Sequence, residues 1–284
     1  MHDIVIRGGI IIDGTGRPPF TGDLAVDNER IAAIGGKAGS GRRVIDADGL
    51  LVTPGWVDVH THYDGQATWD PILAPSSWHG VTTILFGNCG VGFAPVRPHH
   101  RDALIDLMEE VEDIPGPVLA EGLKWDWQGF PDFLDALERM PRTIDVAAQI
   151  PHYPLRVYVM GERAIRREPA TADDIAEMRR LTEEAVRAGA FGFTTSRTNA
   201  HKTTSGEMVP GRFAEIDELI EIGRGLGAAG TFGMNSDFED EEVEFAWITR
   251  LGKETGRPIW FLLTDRPTDP PRWRRILAGC ACCA

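Results

Sequence analysis

The stretch GWVDVHTHYD, Gly55 to Asp64, decides how the rest of the chain is read. Pro54 and Gly55 form an entry turn, Val57 and Val59 are the apolar residues of a strand, and Tyr63, Asp64 and Gly65 carry the chain out into a loop. Side chains on an extended backbone alternate between faces, so residues two apart point the same way. His60 and His62 therefore share one face at a strand end, and both imidazoles can reach one ion. The rival reading is two surface histidines that happen to be neighbours, since so short a motif recurs by chance. The sequence on either side has to discriminate.

Upstream, residues 1–56 read as short strands broken by turns: DIVIRGG, IIIDGTG, GDLAVDNERIAAIGG and RRVIDADGLLV, with Asp-Gly, Gly-Gly, Asp-Asn and Pro-Pro at the breaks. This is a small all-β segment with no catalytic residue of its own. Downstream the period changes. Apolar runs at Val81 to Phe86, Val146 to Ile150, Ala190 to Thr195, Gly230 to Met234 and Pro258 to Leu263 read as strands, and helical patterns separate them. The clearest helix runs to Ala188 with Thr171 as N-cap, Asp174 at the capping-box position and Gly189 as the stop. Two more, Glu215 to Leu226 and Glu241 to Lys253, open on acidic turns whose charges read as a solvated face.

Alternating strands and helices indicate an α/β class with a parallel sheet, and a (β/α) barrel is favoured over an open doubly wound sheet because no GxGxxG follows the first strand. The expected organisation is a β segment over 1–56, a partial barrel over 57–275 and an atypical Cys-rich tail, 276–284, ending GCACCA. The tail reads poorly as a zinc tract, with three thiols, Ala spacers and no adjacent histidine.

In such a barrel the chemistry sits just past each strand. Those positions hold His60, His62 and Asp64; then Cys89 in GNCG; then His152 and Arg156 in PHYPLR; then Arg197, His201 and Lys202; then Asn235, Ser236 and Asp237; and finally Thr264, Asp265 and Arg266. Two imidazoles and a thiolate suit zinc, with room for a water whose pKa the ion lowers toward ~7. Each residue has a plainer reading. Cys89 fits a small buried hydrophobe, His152 a satisfied core histidine, and His99 with His100 a solvated helix start. Arg156, Arg197 and Lys202 fit either carboxylate binders for an acidic substrate or ordinary surface charges.

A formal net charge of -14, from 43 acidic against 29 basic residues, speaks against nucleic-acid and anionic-membrane partners. No basic-then-apolar leader and no run near ~18 apolar residues is present, so a cytoplasmic location is expected. The 42% hydrophobic content is ample for a substantial core, and the oligomeric state is not legible.

The run VIDADGLLVTPGWVDVHTH, Val44 to His62, closely resembles the amidohydrolase superfamily. HGVTTILFGNCG, PHYPLRVYVMGER, GAFGFTTSRTNAHK and VPGRFAEIDEL resemble its N-acyl-D-amino-acid deacylase (D-aminoacylase) branch. The resemblance implies a metal-dependent (β/α) barrel, incomplete over this sequence and preceded by part of a small β-sandwich. It implies one or two zinc ions, with His60, His62 and Cys89 as metal ligands, and His152, Arg156, Arg197, His201 and Lys202 as candidates for substrate contact. The implied reaction is hydrolysis of an N-acyl-D-amino acid, a small-molecule substrate. The family pattern places histidine ligands after the fifth and sixth strands, where this sequence has NSDF and LLTDR, and a general-base aspartate after an eighth strand, expected beyond the end of the chain. Two other readings remain: a truncated or degenerate inactive member, and a cyclic amidase of the hydantoinase or dihydroorotase type.

Overall fold

The computed structural model describes all residues except 203–205, 207, 266, 283 and 284. Two compact units divide the chain, Met1–Trp56 and Val57–Ala284.

The first unit is a five-stranded sheet. β1 (His2–Ile11) runs through it, flanked on one side by β2 (Phe20–Asp27) and then β3 (Arg30–Ile34), and on the other by β4 (Gly41–Asp46), with β5 (Leu51–Val52) also pairing with β1. The two short strands expected at the start are one strand with an irregularity between Ile6 and Gly9. β2 and β3 form an antiparallel hairpin whose turn residues, Asn28 and Glu29, have φ of 48° and 65°. That is the two-residue turn with both φ positive that matches strand twist.

The second unit is built on parallel strands. β6 (Trp56–Asp58), β7 (Val81–Phe86) and β8 (Asp145–Ala148) form one sheet, and β9 (Ile150–Pro151), β10 (Gly192–Arg197), β11 (Thr231–Ser236) and β12 (Ile259–Phe261) a second, in sequence order. β8 and β9 are a single pass of the chain interrupted at Gln149. Its N–H still bonds Phe86 O at 3.0 Å, and Phe191 N–H bonds Ala148 O at 2.8 Å, so six passes lie side by side. The run is rolled. The His60 ring, past β6, lies 6.0 Å from the ring of Trp260 on β12. Among the described residues β6 and β12 each pair with one neighbouring strand.

Helices separate the strands: α1 (Arg101–Glu112), α2 (Gly116–Gly122), α3 (Phe130–Arg139), α4 (His152–Met160), α5 (Glu162–Ile165), α6 (Ala172–Ala188), α7 (Ile216–Arg224), α8 (Glu241–Thr255) and α9 (Arg272–Cys282). α6 carries the expected capping box, with Asp174 N–H donating to Thr171 Oγ1 at 3.2 Å and Thr171 N–H to Asp174 Oδ2 at 2.8 Å. No helix is long and apolar enough to cross a membrane among the described residues.

Alternation along β10 sorts the layers. Phe193 faces the helices, its ring 5.2 Å from Phe232 and 5.2 Å from His152. Thr194 and Ser196 face the opposite, site-lining side. Both faces are buried, as expected for a parallel strand covered by helices.

Three expectations need correction. The acids opening the helices after β10 and β11 are not all solvated: Glu218 is 2% exposed and Glu244 8%. Each turns inward to pair with an arginine, Glu218 with the buried Arg156 and Glu244 with the partly buried Arg197. His100, expected at the surface, is 4% exposed, with Nε2 3.7 Å from Glu162. Residues 272–282 are helical, so the Cys-rich end is a regular element through Cys282, and the Cys280 thiol donates to Ile276 O at 3.3 Å.

Candidate metal centre

Cys89 sits at the middle of the candidate site, on a turn that only unusual backbone angles allow. Gly87, Cys89 and Gly90 have φ of 80°, 56° and 71°. A left-handed conformation costs a non-glycine residue roughly 1–2 kcal/mol, and such strain is characteristic of functional turns. Gly87 is obligatory: a Cβ there would lie 2.1 Å from Gln149 O.

The turn is clamped from three sides. Asn88 is fully buried and its Nδ2 donates to Thr61 O at 3.1 Å and Leu85 O at 3.0 Å. Gln149 Nε2 donates to Asn88 Oδ1 at 2.9 Å. Across the site, the Thr194 hydroxyl accepts from Gly90 N–H at 3.1 Å and donates to Gly87 O. These bonds offset the strain and fix the thiol.

The histidines arrive by the alternation expected of an extended segment, although β6 itself ends at Asp58 and both lie just beyond it. Thr61, between them, points the other way, its N–H and hydroxyl both bonding Leu85 O. The His60 and His62 rings are 5.5 Å apart on the site side. Cys89 Sγ is 3.3 Å from His60 Nε2.

Two donor triads share that sulfur. One ligand atom from each of His60, His62 and Cys89 lies within 4.8 Å of the others, and the same holds for Cys89, Glu112 and His201. Glu112 Oε1, at the end of α1, is 3.3 Å from His62 Nε2. Ser196 Oγ lies 2.9 Å from His201 Nδ1, and Asn235 Nδ2 3.5 Å from His201 Nε2, so both ring nitrogens have a polar neighbour. Supporting bonds of this kind fix the tautomer of a metal-ligating histidine.

Electrostatics keep the imidazoles neutral. Burial lowers His60 below its ordinary value; burial and the neighbouring His60 and His201 lower His62 to about 3; burial lowers His201 to about 4. Burial, with the charge of Glu112, pushes the Cys89 thiol up, and burial with Asp113 raises Glu112 to about 7. Asp64, 2% exposed, is raised by burial and lies 3.9 Å from His62 Nδ1.

A divalent cation fits these residues. The donor set is two softer types and one hard one, thiolate, imidazole and carboxylate, all of which zinc accepts. Glu112 Oε1, Asp64 Oδ2 and His62 Nδ1 are buried with no hydrogen-bond partner. Buried polar atoms are usually satisfied, so orphaned carboxylate oxygens 3.3 and 3.9 Å from the two His62 nitrogens fit a site that a cation completes.

Other predicted residues lie elsewhere. His152, 1% exposed, bonds Thr195 Oγ1 and Glu218 Oε1, each at 2.8 Å, on the helix side of β10. Arg156, 2% exposed, pairs with the same Glu218 oxygen and donates to Glu168 O at 2.9 Å. Its charge is already matched. Arg197 Nε is 3.3 Å from Glu244 Oε1 and its guanidinium stands over the Trp247 ring at 5.6 Å. Lys202 is exposed beside His201, bridging to Met208 through its backbone. Of the last strand's loop, Arg266 lies outside the described residues.

Sequence reasoning passed over Glu112 and Trp260. Glu112 belongs to the run EEVED, residues 109–113, at the end of an amphipathic helix, a pattern that reads as solvent-facing, and nothing local marks it. Trp260 falls inside the expected strand Pro258 to Leu263, where nothing marks it as a site residue. It turns into the site because Gly233, its partner on β11, leaves room: a Cβ on Gly233 would lie 2.2 Å from the indole.

A profile of the amidohydrolase family matches residues 43–279. The chain belongs to that family. It is 33% identical over 261 residues to a D-aminoacylase of Alcaligenes xylosoxydans xylosoxydans, covering 90% of this chain and 49% of the relative. It is 36% identical over 230 residues to an N-acyl-D-aspartate deacylase of the same organism, covering 80% and 42%. Among solved amidohydrolase structures, N-acyl-D-glutamate deacylase from Bordetella bronchiseptica, complexed with zinc and a phosphonate inhibitor, superposes with a TM-score of 0.74 at 28% identity, covering 99% of this chain and 56% of that one. A D-hydantoinase structure, at 18% identity and a TM-score of 0.51, shares the fold. The chain thus spans about half the length of the deacylases it matches.

Proposed function

We propose that this amidohydrolase belongs to an N-acyl-D-amino-acid deacylase and supplies the metal-binding wall of its active site. The observation that carries the reading is Cys89 Sγ, shared by two donor triads on a strained and heavily clamped turn. The deacylase names of the relatives above support the substrate class. The six passes are read as the first six walls of a (β/α) barrel, and the sheet of residues 1–56 as part of a composite sandwich.

His60, His62 and Cys89 would hold zinc, with His201 in the second triad that shares the thiol. When bound, zinc would act as a Lewis acid on an amide carbonyl and lower the pKa of a water. Burial excludes bulk water from the donors and keeps their imidazole lone pairs free. Asn235, at the end of β11, presents an amide donor beside His201 Nε2 at 3.5 Å. Lys202, exposed beside His201, is the predicted cation with no acid paired to it among the described residues and would meet a substrate carboxylate; Arg156 and Arg197 are already paired with buried acids.

The test is hydrolysis of N-acetyl-D-amino acids by the zinc-loaded full-length protein, read as release of free amine, with the L-enantiomers as control. Release from the D-series, abolished in Cys89→Ala together with zinc binding, is the expected result. Zinc-loaded protein that cleaves a cyclic imide but no N-acyl-D-amino acid would overturn the proposal in favour of a cyclic amidase.

A further inference from the structure

Glu112 is a carboxylate in a place that does not suit one. It is the last residue of α1, a helix of 12 residues, so it lies at the end where the carbonyls and the negative pole of the helix dipole point. Its neighbour Asp113 is acidic, and no lysine or arginine pairs with it among the contacts of the described residues. Oε1 is buried without a hydrogen bond, 3.3 Å from His62 Nε2. A carboxylate oxygen buried at a helix C-terminus with no donor to it lacks the partner that buried polar atoms ordinarily have.

The geometry says where that charge goes. Glu112, Cys89 and His201 bring an oxygen, a sulfur and a nitrogen within 4.8 Å of one another. Ser196, 2.9 Å from His201 Nδ1, holds the ring in place at the group. His60 and His62 share the same sulfur, with His62 Nε2 3.3 Å from Glu112 Oε1. We propose that Glu112 is a metal ligand, closing with Cys89 and His201 a second cation position that shares the Cys89 thiolate with the His60/His62 position. The inference rests on the metal-centre reading above and adds a residue to it from outside the strand ends, on a helix terminus.

The consequence is a site with one nitrogen-rich and one oxygen-containing position, so the two cations differ in hardness of ligation. Glu112→Gln keeps the shape and removes the charge. After reconstitution with zinc and gel filtration, metal analysis should give two equivalents in the wild type and one in the variant, with second-site affinity weakened by at least about 100-fold, the upper end of what losing a mere supporting hydrogen bond costs a metal site. The cobalt-substituted variant should keep its thiolate-to-metal absorption, because Cys89 and the first position remain.

A melting experiment at pH 8 separates ligation from a structural role. Removing an unpaired buried carboxylate should raise the melting temperature of the metal-free protein and lower that of the metal-loaded one. Glu112→Asp, which keeps the charge on a shorter arm, should fall between. Unchanged stoichiometry and affinity in Glu112→Gln would overturn the inference, as would a wild type taking one equivalent that the variant holds equally well. Cys89→Ala tests the underlying reading independently: full metal content there would sink the shared centre, whatever Glu112 does.

Discussion

Replacing Glu218 by Gln tests whether the buried polar network behind the site holds the second unit together. The carboxylate, 2% exposed, accepts from His152 Nε2 at 2.8 Å and from Arg156. Gln can still accept one hydrogen bond, but Arg156, itself 2% exposed, loses its counter-ion. Breaking a buried pair from one side costs about 3–5 kcal/mol. For a unit of this size each kcal/mol is worth about 2–4 °C, so thermal unfolding followed by circular dichroism at pH 7 should move down by about 6–20 °C. The pH dependence has a definite sign. Burial would raise Glu218, but the His152 and Arg156 bonds outweigh it and hold the acid below its ordinary 4.5. Its contribution is therefore complete above about pH 4.5 and lost as pH falls through the lower, folded value. Wild-type and variant curves should converge in acid. A double change, Glu218→Gln with Arg156→Met, should recover much of the loss, since the stranded charge goes too. A drop below about 2 °C at pH 7, or a gap undiminished at pH 3, would refute the account.

Thr171→Ala removes the N-cap of α6 and should cost about 1 kcal/mol, a small downward shift in melting temperature with activity intact. Gly87→Ala adds a methyl 2.1 Å from a backbone oxygen at φ 80° and should abolish the cobalt–thiolate band along with at least about 1–2 kcal/mol of stability. Asn88→Ala takes the Asn88 donor from Thr61 O and the acceptor from the buried Gln149 amide, at about 1–3 kcal/mol each, while Leu85 O keeps its two Thr61 donors, and should lower both the melting temperature and zinc content. Stripping zinc with a chelator should lower the melting temperature of the wild type and leave that of Cys89→Ala where it was.

The sequence showed the strand order, the helix α6 with both ends, and the histidine pair, because each depends on periodicity or on residues within one turn of each other. Val81 to Phe86 matches β7 residue for residue. The break at Gln149 was invisible, since it arises from the Gln149 to Asn88 bond across 61 residues. The same limit explains the acids. Glu218 and Glu244 sit in helix first turns where dipole and solvation both suit an anion, and only the arginines at 156 and 197 turn them inward. Composition identifies neither pair, because the partners come from other strands' connections. Glu112 is the sharpest case, a site residue whose every local signal describes a surface.

The clamp on Cys89 has a temporal side. Its nearest donor, His60, precedes it by 29 residues, but the hydroxyl that ties Gly90 belongs to Thr194, 104 residues later. During synthesis at about 5–20 residues per second, roughly 5–20 s separate the appearance of the thiol from that of the group that fixes it. Over that interval the tie to Gly90 is missing, so the turn that presents the thiol is complete only after β10 docks.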